Sequence, residues 1–187
     1  MRFTEFFLLK ERSIQTIEEL DNTIKFEIKK SKHYTNNKEE QGYELRLFIN
    51  RQPMAALELI KTHGRTTWNI HAGMRKEIQG SGFGPLLYDI ALEFITNYRN
   101  GVTVSTYGNS TGSTSDRAEN VWKKYYLNRP DVTHIDNKGV RKDMYGFDQF
   151  PDEARSPKNT PWLWAGFTKS LDLIPKLIKK KSLTIYK

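Results

Sequence analysis

Lys76-Glu-Ile-Gln79-Gly80-Ser81-Gly82-Phe83-Gly84-Pro85-Leu86-Leu87-Tyr88-Asp89-Ile90-Ala91-Leu92-Glu93-Phe94-Ile95 is the stretch from which the architecture can be read. Leu86, Leu87, Ile90, Ala91, Phe94 and Ile95 recur at the spacing of one helical face, Pro85 suits the first helical position, and Asn100-Gly101 supplies a stop. Just before it, residues 66–74 put Trp68, Ile70, Ala72 and Met74 on one face and Asn69, His71 and Gly73 on the other, the period of a strand. A strand thus feeds a glycine loop that opens a helix.

Outward from this unit, residues 23–29, 43–49 and 55–61 also alternate, with Asn50-Arg51-Gln52-Pro53 as the turn between the last two. Residues 5–20 have near-helical spacing, and residues 30–42 are polar and end at Gly42, which predicts an exposed loop. After the glycine-loop helix, Val102, Val104 and Tyr107 predict a strand. A second amphipathic helix begins near Ser115 or Asp116, carries Ala118, Val121, Trp122 and Tyr125 on one face, and ends at Pro130. Residues 136–161 hold three prolines and two glycines and predict irregular chain; residues 161–167 predict a short aromatic strand, and Leu171, Ile174, Leu177 and Ile178 a last helix. The fold class expected is α/β (α+β), a mixed, mostly antiparallel sheet flanked by helices. A first unit would span 1–135 with its core at 43–127, and an aromatic, Lys-rich C-terminal extension, 136–187, would pack on it.

Composition excludes several classes. The 187 residues include no Cys, so disulfides, thiolate metal sites and a cysteine nucleophile are ruled out, and a reducing compartment is expected. No run reaches 18 consecutive apolar residues and the opening apolar run is shorter than a signal core, which argues against a membrane span or that route of secretion. His33, His63, His71 and His134 never fall at helical spacing, and no metal-binding motif accompanies them. The net charge of +8 is concentrated at the end, where Lys169, Lys176, Lys179, Lys180, Lys181 and Lys187 face Asp172 alone. Such a tail attracts nucleic acid or other polyanions, but aromatic residues are not interleaved with it as a stacking surface would need, and a solvated helix face explains it more simply.

Glycines at 80, 82 and 84 let backbone N–H groups converge on an anion at the positive end of a helix, and a diphosphate is the obvious guest. The spacing matches neither the dinucleotide-binding G-x-G-x-x-G nor the G-x-x-x-x-G-K-[ST] of P-loops. Gln79-Gly80-Ser81-Gly82-Phe83-Gly84 resembles instead the [QR]-x-x-G-x-[GA] signature of the GNAT superfamily of acetyl-CoA-dependent N-acetyltransferases. In that family the signature follows the fourth strand of a mixed sheet; a long helix, a fifth strand and a helix with the pattern N-x-x-A-x-x-[LF]-Y come next. The resemblance implies that Gln79, Gly80, Ser81, Gly82, Phe83 and Gly84 hold the CoA pyrophosphate, that Ala72, Gly73 and Met74 pair with the pantetheine, and that Ser115 borders the cofactor.

Two positions depart from the pattern: the family's Asn is Ser115, and its Tyr, the usual general acid, is Trp122, whose indole cannot supply a proton. Tyr125 and Tyr126 are the substitutes within reach along the helix. His71, Glu58 and Glu44 lie on strands that could face the cleft, and His71 suits the general base because its unperturbed pKa, about 6.5, lies near neutrality. The expected activity is acetyl transfer from acetyl-CoA to a primary amine by direct attack. A narrower likeness, in residues 84–91 and 121–132, is to GNAT-like proteins of tailed bacteriophages. It leaves a second expectation, a non-catalytic structural or interaction protein of a virion that has lost CoA. The location implied is the host cytoplasm or the phage particle.

Overall fold

A computed structural model of the chain describes residues 17, 20–35, 38–61, 67–104, 116–135 and 160–186, and for residues 33–40, 116, 117 and 164 the backbone alone is considered. The helix expected over 5–20, apart from Ile17 and Leu20, lies outside the described residues, as do Tyr107, Ser115 and the irregular stretch 136–159.

Four strands form an antiparallel meander, β1 (Ile24–Thr35), β2 (Lys38–Ile49), β3 (Gln52–Lys61) and β4 (Thr67–Met74). Alternation makes them: Ile24, Phe26 and Ile28, then Tyr43, Leu45 and Leu47, then Leu57 and Leu59 are buried, while the residues between them are more exposed. The loop expected over 30–42 is corrected here, because β1 and β2 pair through it to Thr35↔Lys38. Pairing with β3 begins only at Gly42↔Ile60, so this ribbon is two strands wide among the described residues and no buried face demands alternating apolar residues. The turn after β2 is also tighter than expected. Ile49 pairs with Gln52 across Asn50 and Arg51, both with positive φ (51° and 64°), the two-residue geometry that matches strand twist. A register shift between Leu47 and Phe48 absorbs the extra residue beside Pro53, which has no N–H to give the ladder.

From β4 the chain passes through a 3₁₀ turn (Lys76–Ile78) into α1 (Phe83–Arg99), starting two residues before Pro85. Left-handed Asn100 ends the helix, and Gly101 follows where a Cβ would lie 2.5 Å from the Trp68 ring. β5 (Val102–Val104) then runs parallel to β4. After α2 (Asp116–Asn128), a turn leads to β6 (Val132–Ile135). The aromatic stretch expected as one strand divides into a single helical turn, α3 (Pro161–Trp164), and β7 (Gly166–Lys169); Pro161, lacking an N–H, suits the first position of that turn. α4 (Leu173–Lys179) and β8 (Leu183–Ile185), parallel to β1, complete the chain. The result is a mixed α/β structure with one eight-stranded, mostly antiparallel sheet in the order β6-β7-β5-β4-β3-β2-β1-β8.

One buried ion pair holds the late elements to the early ones. Glu93, in the middle of α1, is 0% exposed. Its carboxylate accepts from Lys169 Nζ of β7 at 2.7 Å and from the backbone N–H groups of Asp172, Leu173 and Ile174, so it caps α4 from another helix. Burial depresses the Lys169 pKa, but the hydrogen bond and charge of Glu93 outweigh it and raise it, so the amine stays an ammonium. Lys169 N–H also donates to Thr96 Oγ1, and Asn97 Nδ2 donates to the Lys169 carbonyl.

Removing one partner leaves a buried charge. Glu93→Ala is therefore expected to lower stability by about 3–5 kcal/mol in urea unfolding, and Glu93→Leu with Lys169→Met to recover most of the loss. Equal losses in the single and double variants would contradict the pairing.

Candidate functional site

Among the described residues β5 pairs with β4 at three positions, Thr67↔Val102, Trp68↔Thr103 and Asn69↔Val104. Beyond them, the β5-side edge of residues 70–74 has no partner among the described residues. Ala72 and Gly73 are exposed there, and a Cβ on Gly73 would meet only the Ala56 carbonyl at 3.9 Å. This edge leads straight into the glycine turn.

The turn is built by its own side chains. Gln79 Nε2 donates to the Met74 carbonyl at 3.0 Å, Ser81 Oγ donates to the Ile78 carbonyl, and Ile78 and Phe83 are buried beneath. Among the backbone groups, Gln79 N–H donates to Lys76 O and Ser81 N–H to Ile78 O. The N–H groups of Gly80 and Gly82 make no hydrogen bond among the described residues. Both glycines have positive φ, 82° and 86°, a conformation that L side chains rarely adopt. Gly82 is the N-cap of α1, whose positive end faces the turn. A Cβ on Gly80 would meet nothing within 4 Å, and one on Gly84 only Met74 Cε at 3.9 Å. Backbone donors, a helix dipole and open space suit a multiply charged anion. Gln79 and Ser81 thus shape the turn with their side chains, whereas the donors left over belong to glycines.

The expected catalytic groups fall into two places. Register puts Glu44, Glu58 and His71 side by side across β2, β3 and β4, on the face opposite Tyr43, Leu59 and Ile70. Tyr43 packs edge-on against Phe94 of α1 at 5.0 Å, so the His71 row lies on the side of the sheet away from that helix. Glu44 is held by Arg46 at 2.6 Å, Glu58 is exposed and His71 is half-buried. The α2 aromatics are elsewhere. Trp122 is buried, stacked on Phe167 at 5.1 Å and edge-on to Tyr88 at 5.2 Å. Tyr125 is buried too; its hydroxyl donates to Asp89 Oδ1 at 3.0 Å, with the Pro85 carbonyl within 3.2 Å. Burial, then the Asp89 charge, push its phenol well above the usual pKa, so it is a poor proton donor. Burial alone pushes Tyr88 up to about 12. Tyr126 is half-buried against His134, ring centres 4.4 Å apart. Ser115 lies outside the described residues.

Asp89 extends the Tyr125 contact into an ionic network. Arg129 reaches Asp89 with Nη1 and Nη2 and grips Asp131 with Nε and Nη2 at 2.6 Å each. The Arg129–Asp131 ion pair closes the turn after α2, and through Asp89 it is linked back to α1. Among the described residues there is no group of three or more metal-capable side chains, and no helix is long and apolar enough to cross a membrane. No family model matches the chain, nor does any curated protein or solved structure.

The Arg129 guanidinium holds the Asp131 pKa at about 2, below its ordinary 3.8. A carboxylate whose pKa is lowered on folding stabilises the fold above its unfolded pKa and loses that contribution as pH falls through the folded one. Wild type should therefore exceed Asp131→Asn in stability near neutrality, with the gap closing between about pH 4 and pH 2 in unfolding titrations. A gap that stays constant across that interval would count against the pairing.

Proposed function

We propose that this chain binds an acyl-CoA at the glycine turn and transfers the acyl group to a primary amine, in the manner of the GNAT superfamily. The observation that carries the reading is the pair of N–H groups at Gly80 and Gly82 that make no hydrogen bond among the described residues, at the head of α1 and beside an edge of β4 that has no partner among those residues. Chain order supports it: the turn follows the fourth strand of a mixed sheet, and a long helix, a fifth strand and a further helix succeed it. The fit to the cofactor is one of backbone chemistry. Gly80, Gly82 and the first turn of α1 would hold the diphosphate, and the edge of Ala72, Gly73 and Met74 would take the amide-bearing arm as a strand takes a neighbour.

When bound, acetyl-CoA would supply the acyl group as a thioester: the C–N bond to the neutral amine forms, the C–S bond breaks, and CoA leaves as the thiol with the proton that the attacking nitrogen gives up. His71, one residue from that edge, would accept the proton that an incoming ammonium must lose, and Glu58, its register partner, would steady the imidazolium that results. Trp122 and Tyr125, buried in the core, take no part in proton transfer. That fate of the α2 aromatics also favours the second reading, a non-catalytic structural or interaction protein of a bacteriophage particle.

Calorimetric titration should give a dissociation constant on the order of micromolar for CoA. Gly84→Ala should bind as well and gain up to about 1 kcal/mol of stability, since a helical Ala is favoured over Gly and the space is open. Gly84→Glu should keep the melting temperature but lose binding by more than about tenfold, through repulsion of the diphosphate. With a panel of primary amines, thiol release should fall in kcat for His71→Asn while KM for acetyl-CoA is unchanged. An absence of binding heat at millimolar CoA overturns the proposal; CoA binding without turnover on any amine, together with the chain's presence in purified particles, would replace catalysis with the structural reading.

A further inference from the structure

We propose that Lys30, Lys61 and Arg99, gathered on one face of the sheet at the root of the β1–β2 ribbon, seat the phosphodiester backbone of duplex DNA while the ribbon reaches along its groove. This surface lies at the opposite end of α1 from the glycine turn and is independent of what that turn binds.

The pleat sorts charge by face. Lys30 stands directly opposite Tyr43 in the β1–β2 register, and Lys61 opposite Trp68 in the β3–β4 register. Tyr43 and Trp68 share a face, their ring centres 5.8 Å apart, so both lysines belong to the side of the sheet over which α1 runs. Arg99, the last residue of α1, lays its guanidinium over the same Tyr43 ring, with Cζ 4.3 Å from the ring centre and 5.4 Å from that of Phe94. Register and ring stacking thus bring three cations to one aromatic pair. The carboxylates of β1–β3 whose side chains are described, Glu27, Glu44 and Glu58, take the other face, where Lys29 binds Glu27 and Arg46 binds Glu44. On the first face the side chains of Lys30, Lys61 and Arg99 make no hydrogen bond or ion pair among the described residues, and Arg99 Nε is buried without an acceptor.

The ribbon names the occupant. β3 leaves off at Gly42↔Ile60 and β8 at Ile28↔Ile185, yet β1 and β2 stay paired as far as Thr35↔Lys38. Past those points the ribbon is two strands wide among the described residues, and two strands alone are marginally stable in water. That width is what the major groove of a DNA duplex admits. Exposed Lys32, two residues beyond Lys30, carries the same face out onto the ribbon. A ribbon in a groove has phosphates on either side of its root, where the cationic face stands, and the net charge of +8 favours the encounter.

Fluorescence anisotropy of a labelled, mixed-sequence DNA duplex, titrated with the full chain over a range of salt, tests this. Wild type should bind at low salt and lose affinity steeply as salt rises. Lys30→Gln with Lys61→Gln should weaken binding about tenfold and lower the slope of log K against log salt by about 2; adding Arg99→Gln should lower it by about 3 in all. Lys124→Gln with Lys179→Gln removes as much charge from exposed positions on α2 and α4, and should leave the slope unchanged. Thermal melting reports folding, and the lysine pair alone decides the matter should Arg99→Gln disturb the rings beneath it. Absence of binding by wild type, or an unaltered slope in the Lys30 and Lys61 variant, overturns the proposal. An equal fall in the α2 and α4 variant also overturns it, since any cation then serves. Polyglutamate that displaces the duplex as readily as unlabelled duplex does overturns DNA as the occupant and gives the face to an acidic protein.

Discussion

A carboxylate with no exposed surface must be met by charge and hydrogen bonds, and Glu93 is met from two directions at once. Lys169 neutralises it, and the first N–H groups around α4 saturate its oxygens. The consequence reaches beyond local stability. β7 lies inside the sheet, between β5 and β6, so fastening its end to α1 fixes that helix over the strands whose pairing defines the site. The Asp89–Arg129–Asp131 network adds a second fastening one helical turn nearer the glycine turn, tying the end of α2 to the same helix. With α1 held from both its middle and its N-terminal half, the orientation of its first turn, and hence of Gly80 and Gly82, is set by the whole fold.

The division of labour across the sheet follows from the pleat. Residues that point toward α1 are apolar and buried; the residues between them carry Glu44, Glu58 and His71 to the opposite face. On the proposed reading, anion-binding capacity resides in main chain at the head of a helix, while the titratable groups stand on strands whose register is fixed over seven or more pairs. Such an arrangement keeps the binding donors insensitive to side-chain protonation and leaves proton transfer to a separate group.

How much of this could be read from the chain depended on whether a buried face imposed a period. β3, β4, α1 and α2 were legible because Leu57 and Leu59, Trp68 and Ile70, Ile90 and Phe94, and Trp122 and Tyr125 all face one core. The β1–β2 ribbon was not, since a two-stranded ribbon enforces no alternation, and Lys30 to Gly42 reads as a polar loop. β6 and β8, of four and three residues, are too short for a pattern and are defined by their partners, β7 and β1. The glycine turn was legible as a turn, though not the inward use of Gln79 and Ser81. Asp89 and Glu93, four residues apart, lie beside the apolar stripe rather than in it, so the sequence carried no sign that they are buried. The partners Arg129 and Lys169 lie 40 and 76 residues further on, and only the fold brings them in.

The central claim is that the Gly80 and Gly82 amides, which make no hydrogen bond among the described residues, constitute an anion site, and residue-resolved amide NMR during a CoA titration tests it directly. The account predicts that the Gly80 and Gly82 resonances, with those of Ala72 and Gly73, move saturably and together, while amides of α4 and β8 stay in place. Stationary glycine signals, or shifts confined to the Lys-rich end of the chain, would contradict it.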